Sequence, residues 1–94
     1  MNQLIGRFET PNGAKYISQL CKHFAHKVEA EADGASGFAK LPCGPAQFSA
    51  SDASLEVRID LVAEDKVEMA KHIIDAHLAR FAFRENFEAM AWDR

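Results

Sequence analysis

The stretch Leu55-Glu56-Val57-Arg58-Ile59-Asp60-Leu61 decides the fold, because apolar and charged residues alternate along it without a break. A period of two places the apolar side chains on one face of a β-strand and the charged side chains on the other. Such a strand is typical of an antiparallel sheet that packs on a core with one face only. We therefore predict a sheet that is covered on one side.

Other segments with the same period lie between tight turns. Val28 to Asp33 predicts a half-buried strand with an acidic outer face, and Ala39 to Leu41 predicts the next strand. Phe48 to Ala50 predicts a further one, and the opening segment Leu4 to Glu9 alternates weakly. Consecutive strands that are joined by tight turns pair antiparallel.

Two segments instead show helical periodicity. The first helix is predicted to begin with Thr10 as a capping hydroxyl and Pro11 in its first turn, and to run to about Lys27. The second is predicted to open at Glu64-Asp65 and to fade near Phe83-Arg84. Each has an apolar stripe at three- and four-residue steps. The stripes comprise Ile17, Leu20, Cys21, Phe24 and Val28 in the first helix, and Val67, Ala70, Ile74, Leu78 and Phe81 in the second.

This order predicts an α+β two-layer sandwich, in which an antiparallel sheet of about five strands carries two helices on one face. The order β-α-β-β-β-β-α matches the TATA-binding-protein-like topology, an analogy that implies no function. The tail from Phe87 to Trp92 either pairs as an edge strand or packs as irregular chain. The length predicts a single domain over residues 1–94.

Charge and composition exclude several classes of function. The chain has 11 Lys and Arg against 14 Asp and Glu, a net charge of -3, which argues against a basic nucleic-acid binder. No apolar run approaches the ~20 residues of a membrane span, and no secretion signal is visible, so a cytoplasmic location is expected. Cys21 and Cys43 are then predicted to be reduced thiols. Cys21 is expected in the core and Cys43 in an exposed turn.

Basic and titratable residues concentrate at two places. His23, His26 and Lys27 are predicted on one side of the first helix, because a helix turns about 100° per residue. On the second helix His77, Arg80 and Arg84 also fall within about 60° of one another. His77 borders the apolar stripe and is expected to be partly buried. If the helices lie side by side on the sheet, the two groups face each other.

Three interpretations of these six residues remain open. His23, His26 and His77 are of the type that ligates a metal, but neighbouring positive charge disfavours a cation. The same groups suit a carboxylate, a phosphate or an acidic partner surface. Bases near helix C-termini also complement the helix dipole and bond the last carbonyls, which is a purely structural explanation.

The sequence contains no constellation that supports catalysis. Phosphate-loop, nucleophile-elbow, zinc-protease and Cys-x-x-Cys motifs are all missing from it. Glu85 and Glu88 are spaced three apart, which is common for exposed carboxylates on a helix tail. The aromatic residues Phe81, Phe83, Phe87 and Trp92 are predicted to pack in the core and tail. We therefore predict a non-catalytic domain.

Two stretches, Leu20-Cys21-Lys22-His23-Phe24-Ala25-His26-Lys27 and His77-Leu78-Ala79-Arg80-Phe81-Ala82-Phe83-Arg84-Glu85, resemble the signatures of a small bacterial family. That family is catalogued as domain of unknown function 2218. The resemblance covers nearly the whole chain, since Thr10-Pro11, Gly37, the Pro42 to Gly44 turn and Trp92 also fit. The chain departs from the family pattern at Asn86-Phe87, where an aliphatic residue is usual.

The resemblance implies a functional context but no mechanism. Some members are encoded near siderophore-interacting flavoproteins, which implies an accessory role in iron uptake with such a flavoprotein as partner. Our leading hypothesis is a binding or accessory domain with a site for an anionic ligand or partner. The alternatives are a metal-binding protein or metal-dependent enzyme, and a structural interaction domain that is expected to be a homodimer. The hypothetical site comprises His23, His26, Lys27, His77, Arg80 and Arg84.

Overall fold

The computed structural model describes residues 2–85 and 87–94, so that Asn86, where the chain departs from the family pattern, lies outside the described residues. Single-turn 3-10 helices at Glu64–Lys66 and Phe83–Glu85 flank the second helix. The main elements in chain order are β1 (Gln3–Glu9), α1 (Gly13–Phe24), β2 (Ala30–Asp33), β3 (Ser36–Leu41), β4 (Gly44–Ala50), β5 (Ser54–Asp60), α2 (Val67–Phe81) and β6 (Ala91–Trp92).

Across the described residues, these strands form one antiparallel sheet in the order β2-β3-β4-β5-β1-β6. The register pairs Leu4 with Ile59 and Phe8 with Leu55, so the apolar face of β1 continues the apolar face of β5. α1 packs on β2, β3 and β4 and contacts α2, and the buried residues of both helices join a single core. The predicted α+β class with a one-sided antiparallel sheet is confirmed.

The tail forms an edge strand, which gives the described chain six strands in place of about five. β6 pairs with β1 through Gly6 opposite Trp92. A Cβ atom at position 6 would lie 2.6 Å from the Trp92 ring, so only glycine leaves room for the indole. The backbone N–H of Asp93 also donates to the carbonyl of Ile5 at 2.9 Å.

Asp75 on α2 fixes this tail from the helical layer. Its carboxylate accepts hydrogen bonds from the backbone N–H of Met90 at 3.0 Å and from the Trp92 indole at 3.1 and 3.3 Å. The Asp75 side chain therefore joins α2 to the edge strand β6. These hydrogen bonds stabilise the two-residue strand in addition to its backbone pairing with β1.

Both helices begin later than predicted, and the first also ends earlier. The N-cap of α1 is Asn12, and the Thr10 hydroxyl accepts a hydrogen bond from the Asn12 N–H at 3.1 Å in the turn before it. At the other end, the N–H groups of Lys27 and Val28 donate to the carbonyl of Phe24 at 3.0 and 2.9 Å. The helix therefore ends at Phe24 in hydrogen-bonded turns, not near Lys27, and the regular part of α2 starts only after a 3-10 turn.

The prediction that Cys43 is exposed is wrong. Cys43 is fully buried, because the chain enters the sheet at Gly44 and the Cys43 carbonyl accepts the N–H of Val62 at 3.0 Å. Cys21 lies in the core as predicted, and both thiols are free. Burial raises the pKa of both thiols, which disfavours the reactive thiolate.

None of the helices among the described residues has the length and apolar character needed to cross a membrane.

Candidate functional site

The two predicted basic groups meet between the helices. His23 lies at the end of α1 and His77 lies in α2, and their ring centroids are 4.8 Å apart with planes tilted by 52°. Because α1 and α2 contact each other on the same sheet face, residues distant in sequence become neighbours. His23 and His77 therefore face each other, as expected if the two helices lie side by side.

His26 and Lys27 join His23 from the turn that follows α1. The His26 ring centroid lies 6.5 Å from that of His23, and Lys27 lines the same concavity. His23, His26 and Lys27 are exposed, whereas His77 is half-buried, as predicted from its place beside the apolar stripe. The imidazoles are therefore accessible to a ligand from solvent.

These residues form the rim of a concavity of about 350 Å³, which we call the histidine concavity. Its polar lining is basic, and within residues 2–85 and 87–94 no carboxylate lines it. Its apolar lining comes from the end of α1 and the turn after it, from the end of β3 and the residue after it, and from one turn of α2. The floor residues are Phe24, Val28, Leu41 and Ile73, and the exposed Pro42 completes the apolar lining.

His77 is held in one orientation by a backbone contact. Its Nδ1 atom lies 2.6 Å from the carbonyl oxygen of Ile73, one helical turn earlier. A carbonyl can only accept, so Nδ1 donates; Nε2 is then an acceptor when the ring is neutral and a donor when it is protonated. The Phe24 ring packs against His77 at 5.0 Å with planes at 62°.

The charged and titratable side chains around the concavity are all basic. The pKa of His23 is lowered, first by lost hydration and then by the positive charge of His77, Arg80, His26 and Lys27. Arg80 thus acts on His23 from α2 while remaining exposed. Positive charge is gathered here without a matching carboxylate in the described lining.

Arg84 is not brought to the histidine concavity. Its guanidinium carbon lies 5.6 Å above the Phe83 ring, and it lines a separate concavity of about 330 Å³ beside Lys15, Tyr16 and Glu85. Phe83 is 63% exposed, so the prediction that it packs in the core or tail is wrong. The chain leaves the regular helix after Phe81, which turns both side chains away from the His77 side.

A metal site is not formed by the predicted histidines. Within the described chain, no group of three or more His, Cys, Asp or Glu side chains is arranged to hold a metal ion. The Nδ1 atom of His77 is engaged by a carbonyl, and the nearby charges are positive.

A hydrogen-bond network around one carboxylate lies at the opposite end of α1 and was not predicted from the sequence. Glu85 was expected to be exposed, but its carboxylate accepts hydrogen bonds from the Thr10 hydroxyl at 2.7 Å, the Asn12 amide at 3.2 Å and the Tyr16 hydroxyl. These donors lower the pKa of Glu85, while burial and the carboxylate raise the pKa of Tyr16 to about 12. The only signal in the sequence was that Thr10 and Glu85 both fit the family pattern.

A larger concavity, of about 490 Å³, lies on the sheet face away from the helices. Its central charges are already paired, since Glu56 forms ion pairs with Arg7 at 3.0 Å and with Arg58 at 3.4 Å. Glu31 and Asp33 also line it and form no ion pair in the described part of the chain, so its unmatched charge is negative, opposite to that of the histidine concavity.

Comparison with known proteins gives a family and a fold. The model of a family described as an uncharacterised protein conserved in bacteria, domain of unknown function 2218, matches residues 6–93. The chain is similar to the NMR structure of PA4090 from Pseudomonas aeruginosa, with a TM-score of 0.78 and 27% identity, covering 99% of this chain and 96% of that one. A search of curated proteins returned no significant match.

Proposed function

The chain belongs to the bacterial family catalogued as domain of unknown function 2218, and we propose that it is a non-catalytic binding domain whose histidine concavity holds a small anion. His23, His26, His77 and Lys27 would contact the anion, and Arg80 would add positive potential from α2. Arg84 faces the other concavity and has no direct part in this proposal.

The observation that carries the proposal is the unmatched positive charge around His23. The pKa of His23 is lowered first by lost hydration and then by four basic neighbours, and a bound anion would stabilise the positive charge of these neighbours. Perturbed titratable groups that line a concavity are candidates for binding sites on physical grounds. The anion would supply the negative charge that the described lining lacks.

A purely structural role explains the cluster less well. Exposed residues contribute little to folding, commonly within about 0.5 kcal/mol, and His23, His26 and Lys27 are all exposed. Like charges placed together oppose folding rather than favour it. The helix dipole accounts for bases near the end of α1, but not for His77, which lies in α2 and faces them.

The link to ferric-siderophore handling, which the resemblance implies, is a narrower form of this proposal. A ferric siderophore, or an acidic surface of a siderophore-interacting flavoprotein, would each be a source of negative charge for the same rim. The basic rim and the volume of the concavity support the proposal for either source.

The experiment is a titration of the protein with acetate, phosphate, benzoate and a ferric siderophore, followed by NMR of the imidazole C–H signals. We expect at least one anion to shift the signals of His23 and His77 in a saturable way. The His23→Ala variant should bind more weakly, whereas His72→Ala should not, since His72 is exposed on α2 outside the concavity lining. Both variants should melt close to the parent protein.

Three results would overturn the proposal. One is that none of the anions shifts the signals of the rim. Another is that zinc or iron binds stoichiometrically and raises the melting temperature while the anions do nothing, which would favour the metal-binding alternative. The third is a His23→Ala or Arg80→Ala variant that melts far below the parent with unchanged anion binding, which would show that the cluster serves folding only.

A further inference from the structure

We propose that the anion held by the histidine concavity is a monocarboxylate with an apolar body, aromatic or aliphatic, and not an inorganic or phosphate dianion. This inference rests on the proposed function, since it names the ligand class of the same site. The carboxylate would lie at the basic rim and the apolar body on the floor.

Polar and apolar residues line different parts of the concavity. The rim of the concavity is basic, and the floor carries aliphatic and aromatic side chains from three elements. Ile73 and Val28 are only partly buried in the absence of a ligand, so an apolar body would remove more of their surface from water. Burial of apolar surface stabilises a complex in proportion to the area removed from water.

The rim carries only a limited positive charge. Lys27 is a single ammonium at the concavity, and the pKa of His23 is lowered, so its ring carries less positive charge than an ordinary exposed histidine near neutral pH. The rim also lies at the C-terminal end of α1, where the helix dipole is negative. A dianion would meet too little positive charge there, whereas a monoanion would be matched.

Three aromatic rings form a wall of the concavity, which we call the aromatic wall. The rings of His23, Phe24 and His77 are mutually tilted, with centroids separated by 4.8 to 6.1 Å. Aromatic rings favour offset or edge-to-face contact with a further ring, and an alkyl chain would gain from burial of apolar surface against them. This wall suits an apolar body next to the carboxylate.

Binding of a carboxylate would be accompanied by uptake of a proton at the rim of the concavity. Because Nδ1 of His77 donates to Ile73, Nε2 can donate to the carboxylate only when the ring carries a second proton; a neutral ring would present an acceptor there. The groups that face His23 from α2 are His77 and Arg80, and those from the turn after α1 are His26 and Lys27. All are basic, so a bound carboxylate would favour the protonated form of His23.

The test compares acetate, hexanoate, benzoate, benzyl alcohol and phosphate in titrations of the whole protein, followed by NMR and calorimetry. We expect hexanoate and benzoate to bind at least about tenfold more tightly than acetate, because only they carry a body for the floor. Benzyl alcohol, which has the body without the charge, should bind more weakly than benzoate. Benzoate affinity should rise several-fold from about pH 8 to about pH 6 as the rim takes up a proton.

Matched variants locate the two halves of the ligand. Lys27→Gln should weaken benzoate binding while Lys22→Gln, at an exposed position outside the concavity lining, should leave it unchanged. Ile73→Ser should reduce the advantage of hexanoate over acetate and leave acetate affinity nearly unaltered. Melting curves of each variant show that it is folded.

The outcomes separate the inference from the proposed function. If acetate or phosphate binds at the rim as tightly as benzoate, the ligand class is wrong while the anion site stands. If no probe binds, both proposals are wrong. If benzoate binds equally well to Lys27→Gln and His23→Ala variants, it binds elsewhere, and the inference is overturned.

Discussion

Replacing Glu85 by alanine should destabilise the protein strongly, although sequence reasoning places this residue among exposed carboxylates. The side chain accepts hydrogen bonds from Thr10, Asn12 and Tyr16, and joins the segment after α2 to the start of α1. Thr10 is 2% and Tyr16 is 5% exposed, so their hydroxyls would lose a partner that solvent replaces poorly.

The magnitude follows from these contacts. A hydrogen bond to a charged group contributes about 1.5–3 kcal/mol, but the three share one partly exposed carboxylate and are not additive. We therefore expect Glu85→Ala to lower the free energy of unfolding by about 2–4 kcal/mol. For a domain of this size, the melting temperature should fall by roughly 10–25 °C.

The assay is thermal and urea unfolding followed by circular dichroism, with Glu88→Ala as the matched control. Glu88 is exposed, so its substitution should change the free energy of unfolding by no more than about 0.5 kcal/mol. Equal stabilities of the two variants would refute the reasoning, because the network would then contribute nothing beyond a surface charge.

The pH dependence gives a second readout. The folded-state pKa of Glu85 is lowered, so its stabilisation is complete above the ordinary glutamate pKa of about 4.3 and is lost as the pH falls through the lowered value. The difference in stability between the parent protein and Glu85→Gln should be largest near neutral pH and should shrink on acidification. A difference that does not change down to about pH 2 would contradict the assignment.

Further substitutions test the packing. Asp75→Ala should release the Trp92 indole and β6, seen as increased indole fluorescence quenching and faster amide exchange in β1, with a loss of about 2–3 kcal/mol. Gly37→Ala should cost about 1–3 kcal/mol in urea unfolding, because its Cβ atom would lie 2.9 Å from the Cys21 sulfur, and an unchanged midpoint would show that α1 can shift freely. Cys43 should react with a thiol reagent only at the rate of global unfolding, and fast labelling of the native protein would contradict its burial.

Periodicity was sufficient for the layers of the fold. The alternation of β5 and the stripe of α2 each reflect burial on one side, which is a local property of the sequence, and the side-by-side helices followed from the need to cover one sheet face. The approach of His23 and His77 was expected only on the condition that the two helices lie side by side, and the structure meets that condition.

Long-range hydrogen bonds were not predictable in the same way. The partners of Glu85 lie at the other end of the chain, and a carboxylate in an amphipathic tail has no local feature that distinguishes it from a solvated one. The prediction that Cys43 is exposed was wrong for a related reason. Turn composition indicates a change of chain direction, but not whether another segment covers the turn. Arg84 left the predicted group because α2 ends before it.

The position of β1 has a consequence for how the chain folds. β1 is formed by the first described residues, yet it lies between β5 and β6, and Gly6 finds its partner in Trp92 at the far end of the sequence. Loop closure over such a separation slows folding, because chain entropy is lost before the contacts form. A circular permutant that links residue 94 to residue 2 and opens the chain at the Gly34 turn would make the β6–β1 pairing local. We expect it to refold faster than the parent protein with a similar native sheet.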